Sequence, residues 1–209
     1  MRWSGAIDWP TVAGMAIAQD WLPVTPLAGA RLRLEPLRVE HAEEMAQVLD
    51  NPQLHTFTGG QPATTAELRS RYAQQIVGHS PDRSQRWLNW VARRNDDAQV
   101  VGFVQATLSC QDQQPYAEVA WVIGTAYQRR GYAQEAAQLM LDWLRDNGVD
   151  TLVAHIHPDH DSSNAVARRL GLTPTGDLVD GEVQWRSRPT TLRPNGSLTG
   201  TPDDKHESE

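Results

Sequence analysis

The chain has 209 residues, 39% of them hydrophobic, with 19 basic against 26 acidic residues and a formal charge of −7. That length suits one domain with a real core, and eight tryptophans supply large units of burial. Net acidity argues against non-specific nucleic-acid binding and against a polybasic membrane anchor, so any anionic ligand must be held by local features.

In chain order, residues 1–27 carry Trp3, Trp9 and Trp21 with no clean period, and are expected to pack as an extension on the domain. Alternation around Leu32 and Leu34 predicts a strand, and Ala42, Met45, Ala46 and Leu49 at helical spacing predict a helix over 39–49. Thr64 or Thr65 can cap a second helix reaching about residue 77, with Glu67 complementing its dipole. Segments 87–92, 100–108 and 117–123 read as an antiparallel meander, turned at 95–97 and 111–115. A long helix over 132–145 shows one apolar stripe and ends at Asn147-Gly148. A short strand (151–156), a helix (162–170) and two strands (172–179 and 183–186, turned at Asp180-Gly181) follow. The last segment, 189–209, is rich in Ser, Thr, Pro, Gly and charge, and is expected to be a disordered tail after a domain spanning 28–188. The single cysteine, Cys110, excludes an intrachain disulfide, fits a reducing compartment and is expected to be a small buried hydrophobe in its apolar run. No apolar run reaches the roughly 20 residues of a membrane span, and 12–18 is too short for a secretory signal, so a cytoplasmic protein is expected.

The most informative segment is Gln128-Arg129-Arg130-Gly131-Tyr132-Ala133, between a strand and the long helix. The first N–H groups of a helix lack internal partners, and the helix dipole adds positive potential there. A phosphate at that point accepts several backbone hydrogen bonds, Gly131 lets the main chain come close, and Arg129 and Arg130 add charge. It is neither a dinucleotide fingerprint nor a P-loop, since the further glycines and the Gly-Lys-Ser/Thr are missing.

With the preceding Tyr116-Ala117-Glu118-Val119-Ala120-Trp121-Val122-Ile123 and the following Gln134-Glu135-Ala136, this loop resembles the core motif of the GCN5-related N-acetyltransferase (GNAT) superfamily. That motif reads Gln/Arg-x-x-Gly-x-Gly/Ala, matched by Gln128, Gly131 and Ala133. Ser163-Asn-Ala-Val-Ala-Arg-Arg-Leu-Gly-Leu resembles the family's second motif, and the element order matches over 31–187. Within the superfamily, Arg-Leu-Arg-Leu-Glu-Pro-Leu at 31–37 and Phe57-Thr58-Gly59-Gly60 look most like the ribosomal-protein N-terminal (RimJ/RimL-type) acetyltransferases.

The resemblance implies an α/β (α+β) fold: a mostly antiparallel sheet of six to seven strands, splayed between its fourth and fifth, flanked by about four helices. It implies acetyl-CoA as co-substrate, with pantetheine against Val122 and Ile123 and pyrophosphate on the N–H groups of Arg129, Arg130, Gly131, Tyr132 and Ala133. An amine would attack the thioester directly. Glu118 stands where relatives place a catalytic base, and desolvation would raise its pKa usefully; the alternative is a solvent-facing strand glutamate. Relatives often use a tyrosine as general acid where Ala167 stands here; Ser163 matches a serine proposed for this role in the ribosomal-protein type and is the candidate that the resemblance implies, against the alternative of a helix cap. His160 occupies the place of a CoA-contacting asparagine. For the acceptor, His55, Phe57, Trp87, Trp90 and Trp185 are candidates, each also plausible as core. The partner is then a peptide N-terminus or a small amine, without nucleic acid or membrane, and the protein a monomer or homodimer.

A reading from another class is a zinc-dependent hydrolase, since His155-Ile156-His157-Pro158-Asp159-His160 matches His-x-His-x-Asp-His. It lacks the downstream ligands such hydrolases need, because only His206 follows, and no metal is expected. A third reading keeps the fold as a non-catalytic acyl-CoA-binding module.

Overall fold

The computed structural model describes residues 23–187, apart from 58, 112 and 113. The expected tail, and the three tryptophans of the expected N-terminal extension, lie outside those residues. In chain order the elements are β1 (Leu27–Ala28), β2 (Leu32–Pro36), α1 (Ala42–Val48), α2 (Thr65–Gln75), β3 (Arg86–Arg94), β4 (Val100–Gln111), β5 (Gln114–Ile123), α3 (Tyr132–Asp146), β6 (Thr151–Ile156), α4 (Asp161–Arg169), β7 (Leu172–Val179) and β8 (Glu182–Ser187). The eight strands form one sheet in the order β1-β2-β3-β4-β5-β6-β8-β7. The strand beyond the expected six to seven is β1, a two-residue ladder against Leu34 and Arg33 that is too short for a sequence period to reveal.

Helices α3 and α4 pack on one face of the sheet, and α1 and α2 on the other. The larger core joins α3 to the sheet through Ala136, Ala137, Met140, Leu141 and Leu144, all fully buried against residues such as Leu34, Leu88, Val104 and Val119. This is the apolar stripe legible in the sequence, and each such side chain contributes about 1.5–3 kcal/mol on burial. Val24 and Leu27 join this core from the N-terminal side, where the Thr25 carbonyl accepts the Trp90 indole N–H at 2.9 Å. Helix α2 begins with a reciprocal cap: the Thr64 hydroxyl accepts from the Glu67 N–H, while the Glu67 carboxylate accepts from the Thr64 N–H. It ends two residues earlier than expected, in a turn closed by Gly78.

An ion cluster ties α1 to β2 and β3. The Arg93 guanidinium is bidentate on Glu44 at 2.8 Å and donates to Glu35 at 3.1 Å. Burial alone would raise the Glu35 pKa, but hydrogen bonds from Arg33 and Arg93 more than offset it and hold it below the usual carboxylate value.

Cys110 is exposed, against the expectation of a buried hydrophobe. The β4–β5 hairpin runs past the edge of the helical layers, so at Cys110, opposite Pro115, there is nothing left to bury against.

Candidate active site

Strands β5 and β6 are the only parallel neighbours in the described sheet, and they pair only at 116–118 with 151–153. Beyond Glu118 and Val153 both continue, β5 to Ile123 and β6 to Ile156, without pairing. The sheet therefore opens between them, as the resemblance implies, and a cleft of about 720 Å3 fills the gap.

One wall of the cleft is Trp121, Val122 and Ile123 with the loop into α3, of which Gln128, Arg129, Gly131, Tyr132 and Ala133 line the space. Two residues of that loop take the left-handed conformation, Arg129 at φ 61° and Gly131 at φ 79°. For glycine this is free, whereas for arginine it is uncommon and of the kind that persists where surrounding structure enforces it. The loop is pinned from three sides. The Gln128 side-chain amide donates to the Ile123 carbonyl at 3.0 Å, so this side chain shapes the loop. Arg31 donates to the Arg130 carbonyl at 2.8 Å and lies 5.1 Å from the Tyr132 ring centre. Glu135, in the first turn of α3, accepts from the Arg31 and Leu32 N–H groups and from the Arg31 side chain. What is left facing the cleft is the amino end of α3, whose first N–H groups have no helical partners. Arg129 supplies positive charge beside it; Arg130 is exposed and does not line the cleft. These features suit a pyrophosphate.

The opposite wall comes from the end of β6, the turn after it and α4, with His155, His157, His160, Ser163 and Arg169. Asn164 is buried and donates to the Pro158 and His157 carbonyls at 2.9 and 3.3 Å, which fixes the turn holding the histidines. His160 is the residue preceding α4, and no side chain there caps the helix. Ser163 instead bonds the His160 Nε2 atom at 3.2 Å, while Ser162 bonds Nδ1 at 3.1 Å. Burial, with His157 adding to it, holds the His160 pKa below the ordinary imidazole value, so the ring is neutral near pH 7. Phe57 stacks on His160 with ring centres 4.4 Å apart and closes the rim.

Glu118 lies at the vertex of the splay, on the sheet face opposite α3. Its side chain lines neither the cleft nor the second cavity described below. Burial raises its carboxyl pKa, while the His155 imidazole pulls it the other way. His155, two residues past the paired Val153, lines the cleft and meets Gln184 at 3.4 Å. All three histidines of the zinc-like segment border the cleft, yet no group of three His, Cys, Asp or Glu among the described residues is arranged to hold a metal ion.

A second cavity, of about 440 Å3, lies between α1, α2 and the β3–β4 face. Leu54 and Val122 border both spaces, so the two adjoin near the end of β5. Of the acceptor candidates, His55 and Trp90 border this cavity and Phe57 the cleft. Trp87 lines neither. The Trp90 ring is fully buried in the larger core, 5.5 Å from Trp143, and Trp185 is buried beneath Arg168. Arg31, Glu135, Asn164 and Arg169 were not singled out from the sequence. The bonds from Arg31 to Glu135 span 104 positions, which no local pattern signals.

No helix among the described residues is long and apolar enough to cross a membrane. Comparison with known proteins agrees with the geometry. The acetyltransferase (GNAT) domain family matches residues 31–173. An uncharacterized N-acetyltransferase, YnaD of Bacillus subtilis, is 32% identical over 60 residues, 28% of this chain and only 35% of that protein's length. The fold is similar to RimL, a ribosomal alpha-N-protein acetyltransferase in complex with coenzyme A (TM-score 0.64, 18% identity, 78% of this chain and 97% of that one). It is also similar to the ribosomal-protein-S5-alanine acetyltransferase of Vibrio fischeri (TM-score 0.65, 14% identity, 81% and 100% covered). With the family match spanning well over half of the sequence, the chain belongs to the GNAT acetyltransferase family.

Proposed function

We propose that the protein is an acetyl-CoA-dependent N-acetyltransferase acting on a primary amine, either a peptide N-terminus or a small molecule. The observation that carries this is the cleft at the splay, with the amino end of α3 and Arg129 on one wall and Ser163 on the other. Bound acetyl-CoA supplies a thioester whose carbonyl carbon the amine attacks, forming the C–N bond as the C–S bond breaks. Arg129 and the first-turn N–H groups of α3 hold the anionic end, and the main chain of Val122 and Ile123, unpaired toward β6, borders the pantetheine arm.

The amine arrives mostly protonated, and Glu118 is the group that receives its proton. Because Glu118 lines neither cavity, that proton travels by way of the His155 imidazole, which does line the cleft. Ser163 donates its hydroxyl hydrogen bond to the departing thiolate while its oxygen accepts from the neutral His160 ring, and the thiolate takes up its proton from solvent in the open cleft. The structure supports this role over a cap, since the Ser163 hydroxyl is directed to His160 and not to a backbone N–H. The experiment is thiol release from acetyl-CoA across classes of amine, paired with mass detection of the acetylated product. Stoichiometric release and acetylation establish the activity; acetyl-CoA binding without turnover on any amine would leave a non-catalytic binding module instead.

A further inference from the structure

The second cavity has a composition that constrains what enters it. Its walls are largely apolar, with Leu49, Leu68, Tyr72 and Phe103 among them. Its volume of about 440 Å3 falls within the roughly 300–1,000 Å3 usual for small-molecule sites. Among the described lining residues there is no Asp or Glu, and the one formally charged side chain is Arg71. A polyamine or aminoglycoside brings several ammonium groups. Here a second ammonium would lose its hydration with no carboxylate to pair with, and would meet a guanidinium.

The sheet under the cavity adds a second constraint. Register places Asn89, Gln105 and Ala120 side by side on the face toward α1 and α2, and Phe103 beside Val122. Val122 also borders the cleft, so this row is where an amine would cross from one space to the other. The Gln105 side-chain oxygen is buried there with no hydrogen-bond partner among the described residues. Buried acceptors are nearly always satisfied, so a lone one in the wall of a cavity marks where a donor belongs.

We infer that the acceptor is an amine on a single apolar body carrying no second positive charge, with its N–H received by Gln105 while the apolar body fills the space between α2 and β4. This rests on the acetyltransferase reading and narrows it to one chemical class, which a free apolar amine and a peptide with an apolar first residue share.

The test uses the full chain at saturating acetyl-CoA, with phenylalaninamide, leucinamide and a tripeptide beginning with phenylalanine set against spermidine and kanamycin. At least tenfold higher kcat/KM for the apolar set is expected; the faster of its two arms identifies the source. Preference for spermidine or kanamycin, or no acetylation of the apolar set, overturns the inference. Calorimetric titration of acetyl-CoA on the same preparation separates the failures, since loss of donor binding itself would sink the underlying reading. Gln105→Leu is expected to lower kcat/KM for the apolar amines tenfold or more with acetyl-CoA affinity and melting temperature unchanged. An unchanged kcat/KM in that variant removes Gln105 from the role.

Discussion

The cleft proposed for the donor and the cavity proposed for the acceptor lie side by side yet are built on different principles. The β5 wall of the cleft is made mainly by the main chain: a strand left unpaired, a loop with two left-handed residues, and the amino end of a helix. The cavity is made by Leu37 and Leu49 on either side of α1 and by residues of α2, β3, β4, the end of β5 and the connection at 54–63, which meet only after folding. Main-chain devices demand particular residues at fixed spacing, such as glycine where φ is positive. A side-chain wall demands only the right volume and polarity, which many combinations meet. One site therefore leaves a motif and the other leaves almost none.

Variants can break this division or sharpen it. The largest effect is expected at the vertex of the splay. Glu118→Gln should lower kcat by about 10²–10⁴-fold without altering acetyl-CoA affinity, the usual range for a lost acid–base group. Its pH dependence has a definite sign. Since burial raises the Glu118 pKa, the acid limb of kcat/KM should lie above the ordinary carboxylate range near 4.3, and should vanish in the variant. The same shift bears on stability. A raised folded-state pKa gives stability that is present below the unfolded value and lost as pH rises through the folded one. Glu118→Gln is therefore expected to raise the melting temperature at neutral pH and to leave it unchanged near pH 4.

Next in size, Arg93→Met should cost about 2–4 kcal/mol in denaturant unfolding. It strands Glu35 and Glu44, and the lower part of the range applies because Glu44 is half exposed. A donor-side change, Arg129→Ala, should weaken acetyl-CoA binding by about three- to tenfold and leave the acceptor KM alone, as loss of one charge-assisted phosphate contact would. Its acceptor-side counterpart, Tyr72→Ala, should raise the acceptor KM and leave acetyl-CoA affinity alone. A variant in either pair that moves both constants together would dissolve the distinction. Smallest of all, Cys110→Ser should change neither rate nor stability, since the thiol is exposed beyond the helical layers.

Much of the fold was legible because its signals are local. The stripe of α3, the Thr64 cap, the Asp180-Gly181 turn and the limits of β6 and β7 can each be read from neighbouring residues. The strand β1 and the fate of Cys110 were not, since the first is two residues long and the second depends on where the helices stop. At the site, the loop at 128–133 and the Ser163 helix announced themselves. The clamp of Arg31 on Glu135 did not, nor did the buried oxygen of Gln105, because both arise from pairings between segments far apart in the chain. Trp90 and Trp185 show the converse. Large aromatics suggest a binding wall, but strand alternation turns both rings into the core, and only Trp90 also borders the cavity.

The central claim is that the loop into α3 holds the pyrophosphate of acetyl-CoA, and Gly131→Val tests it most directly. At φ 79° a branched side chain is strained, and its Cβ would come within 3.3 Å of the Arg31 guanidinium. Calorimetric titration of acetyl-CoA into the wild-type protein should give one site per chain. In Gly131→Val the affinity should fall by at least about tenfold, the equivalent of roughly 1.4 kcal/mol, with the far-ultraviolet circular dichroism preserved. Unchanged affinity in a folded variant, or no binding to the wild type, would contradict the account.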